Sequence, residues 1–391
     1  MKTVLLVAEL GGGIGHLIPL IKIADRLVSN ATDEDVRVLL ASSDPSGVHM
    51  VFPELPFRVL AAPVSTASGN LRSHTSSYAE ILLLYGFNRP EILRANLKAW
   101  DGLLDLCKPD LMIADHSPTA ILAARGRLPV LHVGTGFTMP PAGIALFPAL
   151  TAGRSPPTAQ VQILETVNQL LDERRQEPAA NLPAILDTGA RAVFSLPQLD
   201  PYRGLRNERL LGSYHGNLAP MPQPEMPHIF LYAGGAPDRL DEIAQTLSRC
   251  NVRVSAYLGP LQGSAAAFLM SRGVHVHTQL PDMKEVLRNS SVIVSHGGSG
   301  LANAALAAGR PQIIMPIHAE SSITASRVLE MDVGLVLEKD WGKTLAEAAE
   351  TVTQVRRFRE HAEAEALTIS KSGLPGDPVQ TAADEALELL R

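Results

Sequence analysis

The chain has 391 residues, of which 19% are charged and 46% are hydrophobic. This balance predicts a globular protein with enough chain for two domains, and it excludes an intrinsically disordered one. The net charge of −6 and the lack of a long basic run exclude a nucleic-acid partner that is held by its phosphate backbone.

The cysteines and the apolar runs bear on the cellular compartment. Cys107 and Cys250 are the only cysteines, and their spacing fits no metal site, so we expect two reduced thiols in a cytoplasmic protein. The first apolar run, residues 4–8, is too short for a signal peptide. No uninterrupted apolar stretch reaches about 18 residues, so no integral membrane segment is expected.

The first half of the chain alternates predicted strands and helices. An apolar strand over residues 3–8 leads into a glycine loop over residues 9–16, and an i, i+3, i+4, i+7 apolar stripe predicts a helix from Leu17. Segments 65–78 and 134–153 are rich in Ser, Thr, Gly or Pro and are predicted loops. The remaining elements of this half are strands over 36–41, 111–114, 130–133 and 191–195, and helices from Pro90 and over 159–177. Asp33, Glu34 and Asp35 form a D-x-D string, but a solvated turn explains it, and we predict no metal site.

The second half restarts after a proline-rich segment. Pro220, Pro222, Pro224 and Pro227 predict a linker over residues 213–228. Strands are then predicted over residues 229–233, 252–258, 274–277, 292–295 and 334–337, and an amphipathic stripe predicts a terminal helix within 373–391. Because strands alternate with helices in both halves, the sequence predicts an α/β fold with two doubly wound parallel sheets.

The stretch from His296 to Pro311 carries the clearest chemical signal. Three glycines within five residues separate the strand at 292–295 from an Ala-rich helix that ends at Gly309. Glycines let the backbone approach a ligand closely, and a helix N-terminus offers N–H groups and a positive dipole end. His296 can donate a hydrogen bond to a phosphate oxygen. The alternative is an ordinary strand–helix turn.

This stretch resembles the donor-binding signature HGGxGTxxEALxxGxPxxxxPxxxDQ of nucleotide-sugar glycosyltransferases of the GT-B fold. The closest resemblance is to UDP-sugar and natural-product (antibiotic-type) transferases, which implies a place in bacterial secondary metabolism. The positions in register are His296, Gly297, Gly298, Gly300, Ala305, Leu306, Gly309, Pro311 and Pro316. Residues 15–19, Gly-His-Leu-Ile-Pro, also resemble the family's Gly-His-x-x-Pro segment after the first strand.

The resemblance implies two facing Rossmann-like domains with an interdomain cleft. The N-terminal acceptor-binding domain is expected over residues 1–212 and the C-terminal nucleotide-sugar-binding domain over residues 229–372, joined by the linker 213–228. The helix within 373–391 is expected to pack back on the N-terminal domain. A nucleotide-sugar donor and a small-molecule, glycan or lipid acceptor are the implied partners, and a homodimer stays open.

The resemblance also implies which residues bind the donor. The diphosphate is expected on the turn formed by His296, Gly297, Gly298, Ser299, Gly300 and Leu301. Further contacts are expected from Gly234 and Gly235, from Gln279 and Leu280 at the nucleobase, and from Glu320 and Ser321 at the sugar hydroxyls. Three departures from the pattern occur: Leu301 replaces Thr, Ala304 replaces the Glu that holds the ribose hydroxyls, and Glu320-Ser321 replaces Asp-Gln. Upstream of the pattern, Gln279 replaces a Trp that is common in the family. The change at Ala304 favours a dTDP-linked deoxysugar such as rhamnose, while a UDP-hexose stays open.

His16 and Asp115 are the implied catalytic residues. In the family the histidine is the general base for the acceptor hydroxyl, a task that suits a side chain whose free pKa is about 6.5. Asp115 follows the strand 111–114, and ligand sites of open α/β sheets gather at strand carboxyl ends. The alternative for His16 is a residue at a helix start that bonds to the backbone, and the alternative for Asp115 is the N-cap of the following helix. His116 is an outside candidate either for the partner of the base or for the base itself. The implied reaction is inverting and needs no metal or other cofactor.

Three other functions stay open. A degenerate helper protein could keep the nucleotide site without turnover, and a sugar-nucleotide epimerase of the same fold needs no acceptor. A Rossmann oxidoreductase would bind nicotinamide at Gly11 to Gly15. That loop, however, has His16 where the pattern G-x-G-x-x-G requires a small residue.

Overall fold

The computed structural model describes residues 1–11, 13–30, 36–65, 77–150, 157–216, 218–234, 239–250, 252–260, 263–338 and 341–391. The chain divides into two compact units. Unit 1 comprises Met1–Phe194, Asp200–Leu211 and Asp377–Arg391, and unit 2 comprises Ser195–Leu199 and Gly212–Gly376. The chain therefore enters unit 2 twice and returns to unit 1 for its last residues.

Unit 1 is built on a six-stranded sheet whose pairings are all parallel. Its strands are β1 (Lys2–Ala8), β2 (Val36–Ser42), β3 (Arg58–Ala61), β4 (Leu111–Asp115), β5 (Val130–Thr135) and β6 (Ala190–Phe194). They lie in the order β3-β2-β1-β4-β5-β6. Val4 is paired with Leu111 and Ala8 with Asp115, so β1 and β4 end side by side.

The helices of unit 1 cover this sheet. Up to β6 they are α1 (Leu17–Asn30), α2 (Pro45–Val51), α3 (Tyr78–Leu84), α4 (Pro90–Cys107), α5 (Pro118–Ala124), α6 (Pro157–Glu173) and a 3₁₀ turn at Pro183–Leu186. After its first residue β1 is buried throughout, as expected for a parallel strand covered on both faces. α4 buries Leu97, Trp100 and Leu104 and ends at Cys107, because the next residue, Lys108, has a left-handed φ of 45°. The predicted helices from Leu17 and Pro90 are confirmed.

Unit 2 repeats the plan of unit 1. Its strands are β7 (His228–Tyr232), β8 (Arg253–Tyr257), β9 (His275–Val276), β10 (Val292–Ser295), β11 (Gln312–Ile314) and β12 (Gly334–Val336). All pairings are parallel, in the order β12-β11-β10-β7-β8-β9. Its helices are α7 (Leu240–Leu247), α8 (Gly263–Ser271), α9 (Met283–Asn289), α10 (Ser299–Ala307), α11 (Ala319–Glu330), α12 (Trp341–Gln354) and α13 (Arg356–Ser370).

The strand order reverses once in each sheet, between β1 and β4 in unit 1 and between β7 and β10 in unit 2. In open α/β sheets ligands bind outside the strand carboxyl ends at this reversal. Residues 9–16 follow β1, Asp115 ends β4, Gly234 follows β7 and His296 follows β10. The predicted fold class, an α/β protein with two doubly wound parallel sheets, is confirmed, and the predicted loops and turns of both sites lie at these reversals.

The predicted linker, residues 213–228, belongs to unit 2, where a buried arginine holds part of it. Arg310 follows α10 and has no exposed surface. Its guanidinium donates to the carbonyl oxygens of Met221 at 3.2 Å, Pro222 at 2.7 Å and Leu287 at 2.8 Å. Burial lowers the pKa of Arg310 to about 10, so the group stays charged at neutral pH and its hydrogen bonds are charge-assisted.

One predicted loop differs from the structure at its last residue. α3 begins at Tyr78, where a loop was predicted, because Tyr78, Ala79, Ile81 and Leu82 form a buried face. Residues 66–76 of that loop and the D-x-D string at residues 33–35 lie outside the described residues. The last helix, α14 (Pro378–Leu390), lies in unit 1 and packs against α1.

Among the helices that the structure describes, none has both the length and the apolar surface to cross a bilayer. Both cysteines are free thiols.

Candidate functional site

The structure brings His16 and Asp115 together in unit 1. His16 lies in the turn before α1, and Asp115 is the last residue of β4. His16 Nδ1 lies 3.0 Å from Asp115 Oδ1, and the Asp115 side chain is fully buried while 15% of the His16 side chain is exposed. A carboxylate at Nδ1 favours the tautomer with a proton on that nitrogen, which leaves Nε2 as a proton acceptor. The pair therefore has the arrangement of an oriented general base.

The glycine loop after β1 is occupied by this histidine. Gly11 has a φ of 88°, and a Cβ placed on it would lie 2.5 Å from Nε2 of His16 and 3.4 Å from Nδ1 of His116. Only glycine fits beneath the two rings. The His16 ring thus lies where the pyrophosphate of a dinucleotide would have to approach the loop backbone, which argues against nicotinamide binding there.

His116 lies beside the His16–Asp115 pair. The ring centroids of His16 and His116 are 5.2 Å apart, and those of His116 and Tyr78 are 5.7 Å apart. Neither ring nitrogen of His116 has a hydrogen-bond partner within the described residues. Burial, together with His16 and His132, holds the pKa of His116 well below its usual value. His116 is therefore neutral and a weak base, and the contact with Asp115 belongs to His16.

The second site lies at the turn between β10 and α10 in unit 2. Gly297 has a φ of 84°, and a Cβ on it would lie 2.7 Å from Cγ2 of Ile314, so the turn requires glycine. Gly298 is the N-cap of α10, and its lack of a side chain leaves the helix end open to a ligand. The first turn, Ser299 to Leu301, therefore offers backbone N–H groups and the positive end of the helix dipole to an anion.

His296 is aimed at this turn. A Cβ on Gly298 would lie 2.9 Å from Nε2 of His296. Its Nδ1 is buried and has no partner in the part of the chain that the structure describes. Burial, assisted by His318, lowers the pKa of His296 to about 4, so the ring is neutral at pH 7 and can donate one N–H bond.

The structure separates the predicted sugar-binding residues. Ser299 Oγ donates to Glu320 Oε1 at 2.5 Å, so this carboxylate lies at the start of α10. Ser321 is fully buried, and its hydroxyl accepts from the backbone N–H groups of Ile317 and His318, both at 3.0 Å. The hydroxyl also donates to the carbonyl oxygen of His318 at 2.8 Å. Ser321 therefore caps α11, and the predicted sugar contact is not available to its side chain in this structure.

The other predicted donor residues have unequal exposure. Leu301 is buried in the core of unit 2, so only its backbone can meet a ligand, and Ala304 is fully buried there. Gln279 is exposed and Leu280 is half-buried against the same core. Gly234 is exposed, and a Cβ on Gly259 would lie 3.3 Å from its Cα, so two glycine turns meet closely. Gly235 lies outside the described residues.

Several residues near the two turns were not found from the sequence. Tyr214 packs its phenol oxygen on Gly300, where any Cβ would clash with it. The ring of Tyr232 lies 5.9 Å from that of His296 and 5.6 Å from that of Tyr257. In unit 1, Glu9 is a buried carboxylate directly after β1. Only the position of Glu9 and Tyr232 next to strand carboxyl ends gave a signal. No cluster of three potential metal ligands occurs within the described ranges.

The second unit resembles a known family. Residues 264–378 match the profile described as Erythromycin biosynthesis protein CIII-like, C-terminal domain (EryCIII-like). The chain is 29% identical over 252 residues to the elloramycin glycosyltransferase ElmGT of Streptomyces olivaceus. This alignment covers 58% of the chain and 57% of ElmGT, so the match spans just over half of that relative.

Solved structures resemble the chain over its whole length. The calicheamicin glycosyltransferase CalG4 has a TM-score of 0.70 at 21% identity and covers 100% of this chain and 98% of its own. The spinosyn rhamnosyltransferase SpnG, solved with thymidine diphosphate, has a TM-score of 0.65 at 13% identity and covers 97% of this chain and 98% of its own. SpnG has also been solved with the spinosyn aglycone. At these identities the likeness establishes the fold, which is GT-B.

Proposed function

Because the chain has the GT-B fold and its residues 264–378 carry an EryCIII-like C-terminal domain, we propose that it is an antibiotic-type glycosyltransferase. The reaction is inverting and metal-independent, and it moves a sugar from a nucleoside diphosphate to an acceptor hydroxyl. The observation that carries the proposal is the 3.0 Å contact between His16 Nδ1 and Asp115 Oδ1 at the strand reversal of unit 1.

In this proposal His16 is the general base. Asp115 accepts the Nδ1 proton in a hydrogen bond, and Nε2 takes the proton of the acceptor hydroxyl as its oxygen bonds to the anomeric carbon. The buried carboxylate of Asp115 stabilises the imidazolium that forms, because little water screens the pair. The bond between sugar and diphosphate breaks with its electrons on the diphosphate. Attack from the opposite face inverts the anomeric configuration.

The diphosphate of the donor binds the turn at the start of α10. Backbone N–H groups of Ser299 to Leu301 and one N–H of the neutral His296 ring point to its oxygens. These donors are fixed before the reaction, so they stabilise the charge that grows on the leaving diphosphate without reorganising. Such a site supplies the role that a metal ion has in other transferases.

A dTDP-linked deoxysugar is the preferred donor. Ala304 is fully buried and offers no carboxylate to the ribose hydroxyls, and deoxyribose has one hydroxyl fewer to satisfy. SpnG, whose structure holds thymidine diphosphate, supports the same choice, and its aglycone complex supports a small-molecule acceptor. A UDP-hexose is the second candidate.

The test combines the purified protein with dTDP-rhamnose or UDP-glucose and a panel of hydroxylated aglycones. Free nucleotide and glycosylated product are measured by mass spectrometry. We expect transfer by the wild type and a loss of about 10²- to 10⁴-fold in His16→Ala. His49→Ala, at an exposed histidine of α2, is the matched control and should retain activity. Nucleotide binding without transfer would favour the helper protein, and conversion of the donor without an acceptor would favour the epimerase.

A further inference from the structure

Glu9 is a buried carboxylate to which the resemblance gives no role. It follows β1 directly and is 1% exposed. Its Oε2 accepts the backbone N–H of Thr119 at 2.9 Å and that of Ala120 at 3.1 Å, both in the first turn of α5. An ionised carboxylate forms charge-assisted hydrogen bonds there. The side chain thus ties the end of β1 to the helix that follows β4.

The backbone beside Glu9 is tied to the same turn. Glu9 N donates to Ser117 Oγ at 2.9 Å, and Leu10 N donates to the carbonyl oxygen of His116 at 3.0 Å. Ser117 Oγ in turn donates to the carbonyl oxygen of Asp115 at 2.7 Å. His116 has a left-handed φ of 46°, which costs free energy for a residue other than glycine. These hydrogen bonds hold the strained turn, and the turn carries Asp115.

The groups around Glu9 come from three elements. Burial raises the pKa of Glu9 to about 7, and the bonds from Thr119 and Ala120 oppose this rise. Tyr78 of α3 and Tyr85 after it face the carboxylate, whose charge adds to burial in raising the pKa of both phenols. Asp115 of β4 is the second carboxylate that acts on Tyr78. The neutral His116 lies against Tyr78, and His16 lies against Asp115.

We propose that Glu9 is a positioning residue for the His16–Asp115 pair, an inference that rests on the proposed function. The carboxylate fixes the first turn of α5, residues 115–117 then keep one conformation, and Asp115 stays within hydrogen-bond distance of His16. A protonated Glu9 makes hydrogen bonds that are about half as strong as those of the ionised form. The rate of transfer therefore depends on the ionisation of Glu9.

The experiment measures kcat against pH from 5.5 to 8.5 at saturating donor for the wild type, Glu9→Gln and Glu54→Gln. Glutamine keeps the size of the side chain, and its oxygen still accepts both N–H bonds, but it does not ionise. We expect kcat of Glu9→Gln to be roughly tenfold below the wild type at pH 8 and about equal to it at pH 5.5, with the donor KM unchanged. Glu54 is exposed in the same unit, and its variant should follow the wild type.

Profiles of wild type and Glu9→Gln that run parallel at every pH would overturn the role of Glu9 and leave the transferase assignment standing. Wild-type protein that transfers nothing from any donor would overturn the proposed function instead. A crystal structure of Glu9→Ala tests the inference without turnover. We expect the His16 Nδ1 to Asp115 Oδ1 distance to grow from 3.0 Å to beyond about 3.5 Å, and an unchanged distance would contradict the inference.

Discussion

Glu9→Gln should gain stability over the wild type as the pH rises. Folding raises the pKa of Glu9 from its ordinary value of 4.5 to about 7. Between these values the folded protein keeps a proton that the unfolded chain has released, so wild-type stability falls as pH rises through this window. The two pKa values differ by about 2.5, and at about 1.4 kcal/mol for each pKa unit the loss is roughly 3 kcal/mol above pH 7. Glutamine does not ionise and does not undergo this loss.

Urea unfolding at several pH values between 4.5 and 8 measures the effect. The chain has two tryptophans, of which Trp100 is buried in unit 1 and Trp341 lies in unit 2. A Trp341→Phe background therefore makes fluorescence report on unit 1 alone. The free energy of unfolding of Glu9→Gln relative to the wild type should increase by about 3 kcal/mol across this range, while Glu54→Gln shows no trend. A relative stability that does not change with pH would refute the reasoning.

Three further predictions concern the two turns. Asp115→Asn should lower kcat by about 10³-fold without changing the donor KM, because an amide no longer selects the His16 tautomer, and Asp172→Asn at an exposed position of α6 is the control. His296→Ala should weaken dTDP binding by about tenfold. Because the pKa of His296 is about 4, the ratio of the variant Kd to the wild-type Kd should stay constant from pH 6 to 8. Calorimetric titration at several pH values measures this ratio, and a trend with pH would contradict the prediction. Gly297→Ala should destabilise unit 2 by about 1–3 kcal/mol, because its left-handed φ is strained and its Cβ meets Ile314, whereas Gly376→Ala, with open space around it, should be neutral in thermal unfolding.

Ten of the twelve strands that the structure describes could be predicted, because each is a short apolar run between helices with an apolar stripe. β3 was missed because it is only partly buried, and β11 because it has only three residues. That the strands run parallel follows from the helices between them, since right-handed crossovers leave few other topologies. The linker was harder, since four prolines near residue 220 indicate extended chain and say nothing about what it packs on. Arg310, which holds Met221 and Pro222, lies 89 and 88 residues further along the chain. No local pattern records such a contact.

The same limit applies to the candidate site. His16 and Asp115 are 99 residues apart, yet both could be named because each follows a predicted strand of one sheet and resembles a family motif. Glu9 also follows β1, but a glutamate beside glycines resembles a solvated loop residue. Its hydrogen-bond partners are N–H groups of α5, which lie 110 and 111 residues away along the chain. Ser321 was expected at the sugar hydroxyls for the same reason, because the sequence gives no sign that its hydroxyl caps α11.

Unfavourable features gather at one end of the sheet in unit 1. Glu9 is a carboxylate whose ionisation burial opposes, and His116 combines a left-handed backbone with two ring nitrogens that lack partners among the described residues. Tyr78, whose ring contacts His116, buries a phenol oxygen that likewise has none within the described ranges. Elsewhere in unit 1 buried charges are paired: Arg206 Nε lies 2.8 Å from Asp200 Oδ2. Selection for stability alone would remove such costs, since single substitutions suffice. Their position around His16 fits the proposed catalysis at the carboxyl ends of β1 and β4.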